Sequence, residues 1–136
     1  MNAGISESGE NYLEAILLLG NENKLVRVNE ISRRMKVSMP SVHTALHLLE
    51  DRGLITHERY GHVELTKKGR AAARKIYTFH RQLVAFFTNV LEVEPEIAER
   101  DACRIEHVIS SQTLKRMTKF AGEHLKKGSI DGSGSA

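Results

Sequence analysis

The chain has 136 residues, of which 40% are hydrophobic and 27% are charged, so it can form one globular domain or two small ones but not a large multidomain enzyme. Its 20 basic and 17 acidic side chains give a net charge of +3, which permits an anionic partner without requiring one. A single cysteine excludes an internal disulfide and favours a reducing, cytoplasmic location. Glu10, Asn11 and Glu14 interrupt the apolar stretch near the N-terminus, so neither a signal peptide nor a membrane span is predicted.

Three helices are predicted in the first part of the chain. Serine N-cap candidates and apolar residues at helical spacing indicate a helix over residues 6–19, and a similar pattern indicates a short one over 28–36. Pro40 suits the first turn of a third helix, which Ser38 would cap and Gly53 would end. Two short helices joined by a tight turn form a helix-turn-helix pattern, in which the second helix enters a DNA major groove. The outward-facing residues of that helix are Ser41, His43, Thr44 and His47.

The segment that follows predicts a β-hairpin. Apolar and polar residues alternate over 54–66 on either side of Tyr60 and Gly61, and this alternation with a glycine-containing turn is typical of two paired strands. A helix-turn-helix followed by a hairpin indicates a winged helix with a two-stranded wing.

The second half of the chain is predicted to be entirely helical. Apolar residues recur at helical spacing over 70–90, 95–110 and 113–127. These helices carry more apolar surface than one small domain should leave exposed, which predicts a homodimer. The remaining residues, 128–136, are rich in glycine and serine and predict a flexible tail. The predicted fold is therefore mostly α, with a winged-helix domain over 1–72 and an all-α dimerisation domain over 73–127.

The strongest chemical pattern lies in the second of these later helices. Cys103, Glu106 and His107 are spaced i, i+3 and i+4, so a helix would place a thiolate, a carboxylate and an imidazole on one face. Such donors favour iron, nickel, copper or zinc over magnesium or calcium. A buried free cysteine beside a surface Glu-His pair is also common and needs no metal. Asn11 and Glu14 add oxygen donors on the first helix, although each is also typical of an ordinary helix surface.

His80 lies between apolar neighbours on the long helix, where it could equally be a hydrogen-bonded interface residue. Taken together, these positions and the order of elements resemble the metal-dependent transcriptional repressors of the diphtheria toxin repressor type, which include the manganese transport regulators. The resemblance covers about residues 6–127. It is best over Asp101-Ala-Cys-Arg-Ile-Glu-His-Val-Ile-Ser110, and it extends through Asn11-Tyr-Leu-Glu14 and Tyr77-Thr-Phe-His-Arg81.

The resemblance implies a metal site and a preference between metals. In the iron-responsive branch, the primary site resembles Asn11, Cys103, Glu106 and His107, and a second site includes the position of His80. In the manganese branch, Glu14, His80, Glu106 and His107 match ligands. An asparagine at 11 matches neither branch, Val84 stands where the iron branch has an ancillary glutamate, and Glu99 falls near the position of an ancillary histidine. Because a thiolate is a soft ligand, Cys103 favours Fe(II) over Mn(II). The predicted metal ligands are Asn11, Glu14, His80, Glu99, Cys103, Glu106 and His107.

The same resemblance, together with the helix pattern, implies a function. The chain would be a metal-responsive repressor that binds double-stranded operator DNA as a homodimer. A metal held by the first helix and by the all-α domain would join the DNA reader to the dimerisation region and fix the spacing of the two recognition helices. The predicted DNA contacts are Arg27, Ser38, Pro40, Ser41, His43, Thr44 and Arg59.

Three other functions fit parts of the sequence. A metal-free winged-helix regulator could sense a small ligand or an oxidant through Cys103. A hydrolytic enzyme could use Cys103 and His107, but no glycine-rich oxyanion element accompanies them, so no enzyme is predicted. A protein-interaction module without DNA is the third, and loss of function on changing Ser41, His43 and Thr44 together would contradict it.

Overall fold

The computed structural model describes residues 5–22, 25–58 and 61–130. The described residues form two compact units, which divide between Tyr77 and Thr78. Within the described residues the elements follow in this order: α1 (Glu7–Glu22), β1 (Val26–Arg27), α2 (Val28–Met35), α3 (Met39–Asp51), β2 (Ile55–His57), β3 (His62–Leu65), α4 (Lys67–Asn89), α5 (Pro95–Ile105) and α6 (Ser111–Ile130).

The predicted helix-turn-helix is present as α2 and α3, which pack against each other and against α1. Lys36 ends α2 in the left-handed conformation, with φ 58°, and Val37 then donates to the Ser32 carbonyl, which closes the helix C-terminus. Ser38 caps α3 because its Oγ accepts from the Ser41 amide at 3.2 Å. Pro40 occupies the first turn, where its missing amide hydrogen costs nothing.

The wing differs from the prediction by one strand. The hairpin of β2 and β3 forms as expected, and a third, two-residue strand, β1, pairs antiparallel with β3, so the sheet order is β1-β3-β2. Val26 lies opposite Val63 and is buried, whereas Arg27 is exposed. Two residues are too few to show an alternating pattern, so this strand could not be predicted from periodicity. The turn residues 59–60 lie outside the described part of the chain.

The first unit has one apolar core, to which every one of its helices contributes. Leu13, Ile31 and Val42 are fully buried at the meeting of α1, α2 and α3, and Val63 adds the inner face of the wing. Each such side chain contributes about 1.5–3 kcal/mol through burial. The core therefore fixes α3 relative to α1 within this unit.

The start of α4 is tied to the turn before the wing. Thr66 donates from Oγ1 to the Gly53 carbonyl at 2.6 Å, and the same oxygen accepts from the Gly69 amide at 3.0 Å. The backbone of Gly69 lies so close to Leu54 that a Cβ at position 69 would overlap the Leu54 carbonyl oxygen. Glycine is therefore required here for close approach and not for an unusual φ.

The substitution Gly69→Ala should destabilise the first unit by about 1–3 kcal/mol, because backbone must move to admit the methyl group. Thermal unfolding followed by circular dichroism measures this effect. Gly122→Ala on α6 is the matched control, since no described atom lies within 4 Å of the added Cβ, and alanine favours a helix by about 0.5–1 kcal/mol over glycine. Equal midpoints for the two variants would contradict the close-packing explanation.

The second unit comprises the later part of α4, α5 and α6, around Leu83, Ala102 and Leu114. The prediction that the middle helix reaches Ser110 is wrong: α5 ends at Ile105. The amide of Val108 donates to the Ile105 carbonyl at 2.9 Å in a tightened turn. Ser110 then accepts from the Thr113 amide at 3.1 Å and so caps α6. The stretch predicted as one helix to Ser110 is therefore divided into the end of α5 at Ile105, a turn, and the capped start of α6 at Ser111.

The last helix extends beyond the prediction. α6 runs from Ser111 to Ile130, so residues 128–130 of the predicted flexible tail are helical. Each added residue extends an existing helix by one hydrogen bond without a new nucleation cost, which can outweigh the poor helix propensity of glycine and serine. Residues 131–136 of the predicted tail lie outside the described residues. No helix in the described part of the chain is both long and apolar enough to cross a membrane.

Candidate functional site

A histidine bound by two carboxylates lies inside the second unit. His80, on α4, has Nδ1 2.9 Å from Glu106 Oε1 and Nε2 2.6 Å from Glu99 Oε2. Glu99 lies on α5, and Glu106 follows the last residue of that helix. Both ring nitrogens of His80 therefore face carboxylate oxygens, so imidazole nitrogen and carboxylate oxygen, two common types of metal ligand, meet at one point.

The two carboxylates differ in their surroundings. The Glu106 side chain is fully buried, whereas that of Glu99 is 60% exposed. Glu106 Oε2 is buried and accepts no hydrogen bond from any described residue. A buried carboxylate oxygen without a donor is costly, because it loses hydration and gains no hydrogen bond in return. A cation beside Glu106 would offset that cost.

Cys103 and His107 are close to Glu106 in sequence, but Cys103 lies on α5 and His107 lies in the turn after it. Cys103 is half-buried on α5. Glu106 keeps a helical conformation, with φ −56° and ψ −25°, and donates its amide to the Ala102 carbonyl, so the i, i+3 relation with Cys103 holds. His107 is buried in the turn after the helix. Since α5 ends at Ile105, His107 lies beyond the helix that was expected to carry all three residues, and the shared face stays a prediction.

The two predicted ligands of the first unit lie on α1. Asn11 and Glu14 are half-buried and three residues apart, so they share one side of the helix. Their neighbour Glu10 is buried, and burial also raises the pKa of the Tyr12 phenol, which keeps that ring neutral. This part of α1 thus places four oxygen-bearing side chains, including the Tyr12 phenol, at partly or fully buried positions.

The donors in the second unit fit a divalent transition ion. Histidine nitrogen, carboxylate oxygen and cysteine sulfur are the ligands that iron and its neighbours use, and all three types occur at His80, Glu106 and Cys103. The unsatisfied oxygen of Glu106 is the structural observation that supports such an ion. The ligand roles of Asn11, Glu14, His80, Glu99, Cys103, Glu106 and His107 remain predictions.

The first unit presents a polar surface at the start of α3. Ser41, His43 and Thr44 are exposed there, and Pro40 is exposed beside them. Thr44 donates from Oγ1 to the Pro40 carbonyl at 3.1 Å. The Oγ atoms of Ser38 and Ser41 are 2.9 Å apart. These contacts hold the hydroxyl groups against the first turn of α3, while the side chains that carry them stay exposed to solvent.

The predicted basic contacts have different structural settings. Arg27 is exposed, and its amide donates to Glu30 Oε1 at 3.0 Å, which anchors the start of α2. Arg59 lies outside the described residues. The sequence did not single out His57, whose ring stacks on that of His43. That contact depends on the meeting of α3 with β2, which no local pattern reveals.

Comparison with known proteins identifies the family. Residues 4–63 match the family model described as the N-terminal DNA-binding domain of iron-dependent repressors. Residues 66–127 match the model described as the metal-binding and dimerisation domain of the same repressors. The chain belongs to the iron-dependent repressor family. The predicted resemblance, the mostly helical winged-helix fold and the classification as a DNA-binding regulator and not an enzyme are therefore confirmed.

Individual relatives of the family include both iron and manganese regulators. The transcriptional regulator MntR of Escherichia coli is 36% identical over 115 residues, which cover 85% of this chain and 74% of that protein. The iron-dependent repressor IdeR of Mycobacterium tuberculosis is 32% identical over 113 residues, covering 83% and 49%. The solved structure of the manganese regulator SloR has a TM-score of 0.75 at 28% identity, covering 84% and 53%. The chain thus spans about half the length of IdeR and SloR.

Membership in this family does not favour the metal-free alternative based on Cys103. It also leaves the choice between iron and manganese open, because an iron-dependent repressor, IdeR, and a manganese regulator, SloR, both match, at 32% and 28% identity.

Proposed function

We propose that this protein is a metal-activated repressor that binds operator DNA as a homodimer, with Fe(II) preferred over Mn(II) as corepressor. The observation that supports it best is the buried Glu106 carboxylate. Its Oε1 is hydrogen-bonded to His80, and its Oε2 accepts no hydrogen bond from any described residue. A group of this kind is better explained by a cation-binding role than by stability alone.

The residues that would hold the ion come from both units. His80, Cys103, Glu106 and His107 belong to the second unit, and Asn11 and Glu14 belong to α1 of the first. When bound, a divalent ion supplies positive charge that compensates buried carboxylates and accepts their lone pairs. Within the first unit, α1 and α3 share one apolar core, so an ion held by Asn11 and Glu14 would act on α3 through that core. A near-complete switch requires a preference of roughly 5 kcal/mol for the DNA-competent arrangement.

The preference for iron rests on one ligand position. Cys103 offers a thiolate, which suits Fe(II) better than the harder Mn(II). Asn11 offers a neutral amide oxygen and matches neither branch of the family. Glu14 matches a ligand of the manganese branch, so the predicted discrimination is one of degree.

Operator binding and dimerisation are proposed for separate surfaces. The exposed polar residues at the start of α3 would reach base edges and phosphates. Acidic and basic residues nearly balance in the first 70 residues, so affinity would depend on local placement and on two recognition helices spaced about 34 Å apart. The second unit exposes several large apolar side chains, which support a dimer interface. They are Leu91, Ile97, Val108, Phe120 and Leu125.

Fluorescence anisotropy with a labelled duplex, selected from a random-sequence library by the metal-loaded protein, tests this proposal under anaerobic conditions. We expect tight binding with Fe(II), weaker activation by Mn(II) at equal concentration, and release on chelation. A drop in affinity of at least about 100-fold on chelation corresponds to the typical upper range of allosteric coupling. Equal affinity with metal and with chelator would refute the switch, and stronger activation by Mn(II) would refute only the preference for iron.

A further inference from the structure

Two histidines from different elements are stacked on the reading surface of the first unit. The rings of His43 and His57 have centroids 5.9 Å apart and an interplanar angle of 26°, within the usual range for an aromatic pair. His43 is exposed on α3, and His57 is half-buried at the end of β2. The pair therefore joins the recognition helix to the wing.

The backbone around the pair holds both rings in place. Gly53 links α3 to β2 with φ 71°, a conformation that glycine adopts without strain. The Leu54 amide donates to the Leu49 carbonyl at 3.0 Å, and both side chains are buried. His57 pairs with Val63 in the antiparallel register. These contacts leave little freedom in the separation between the two ring-bearing positions.

The acidic residue that follows His57 contacts a different histidine. Glu58 follows His57, and its Oε2 lies 3.7 Å from Nδ1 of His62. The His57 ring, in contrast, stacks on the ring of His43. His47 lies one turn further along α3 and is exposed.

An exposed side chain on a recognition helix normally loses rotamer freedom when it contacts DNA, and this loss reduces affinity. A ring already stacked on a neighbour has less freedom to lose. From this geometry we infer that His57 is a positioning residue: it orients His43 for operator contact and so makes the wing part of the reading surface. The inference rests on the proposed function, because it requires that α3 binds an operator.

A double-mutant cycle in the full, metal-loaded chain tests this role. The variants are His57→Ala, His43→Ala, the double variant and His57→Phe, and the probe is the duplex selected by the wild-type protein. We expect His57→Ala to weaken binding by about three- to tenfold, the range that a lost aromatic pair gives. In the His43→Ala background, His57→Ala should cause no further loss. His57→Phe should restore binding to within about twofold of wild type, because it keeps the ring contact.

Three results would overturn the inference while wild-type binding remains intact. They are unchanged binding by His57→Ala, an equal loss in both backgrounds, or no rescue by His57→Phe. His57→Leu, which keeps apolar volume without a ring, replaces the alanine variant if the latter lowers the thermal midpoint, and it should show the same loss. Failure of the wild-type protein itself to bind the duplex with metal would instead overturn the proposed function, and the inference with it.

Discussion

Replacing Glu106 by glutamine is expected to abolish metal-activated DNA binding while the chain still folds. The Glu106 side chain is fully buried, one of its oxygens is 2.9 Å from His80 Nδ1, and the other has no described donor. Glutamine keeps the size and one oxygen but removes the charge that a cation needs. Metal affinity should fall by more than about 100-fold, since even changes outside the ligand shell cost about 10- to 100-fold.

Two measurements separate this loss from simple unfolding. The thermal midpoint without metal should fall only modestly in Glu106→Gln, because the amide oxygen can still accept a hydrogen bond from His80 Nδ1 and Glu99 still faces Nε2. The rise in midpoint that wild type shows with added Fe(II) or Mn(II) should disappear, since that rise reflects binding to the folded state. Glu123→Gln is the matched control, as Glu123 is exposed on α6. An unchanged metal response in Glu106→Gln would remove this residue from the site.

Local patterns in the sequence were sufficient for most of the first unit. Ser38 and Pro40 mark the start of α3 by their own chemistry, and the hairpin shows as alternation around Gly61. The strand β1 escaped prediction because its structure comes from pairing with β3, a partner more than 30 residues away, as the register Val26 to Val63 shows. Periodicity can identify an element only when the element spans several repeats.

The candidate site was less predictable for the same reason. The motif around Cys103 and Glu106 was visible because its members are close in sequence, yet α5 ends at Ile105, before Ser110 caps the next helix. The contacts of His80 with Glu99 and Glu106 bridge 19 and 26 residues. No spacing rule yields such contacts, and the resemblance to a known family alone drew attention to Glu99. Geometry added the one feature that no motif carries, the unsatisfied buried oxygen of Glu106.

The combined substitution of Ser41, His43 and Thr44 by alanine is expected to abolish operator binding and to spare the metal response. All three side chains are exposed, so their removal takes little from the core. A well-placed side-chain contact to a base contributes about 1–3 kcal/mol of discrimination, and three weaker contacts together should reduce affinity by at least about 100-fold. Anisotropy with the selected duplex measures the loss, and the metal-induced shift in thermal midpoint reports the site around Glu106 independently.

The control for this variant must remove similar polar groups from another helix. Gln112 and Thr118 are exposed on α6, so alanine at both positions should leave DNA affinity within about twofold of wild type, as expected for surface changes away from a binding site. Binding to an unselected duplex gives a second comparison, because phosphate contacts do not depend on sequence. If side chains of α3 contact bases, the triple variant should lose far more affinity for the selected duplex than for the unselected one. Equal loss on both would mean that these side chains contact only phosphates, and full binding would place operator recognition outside α3.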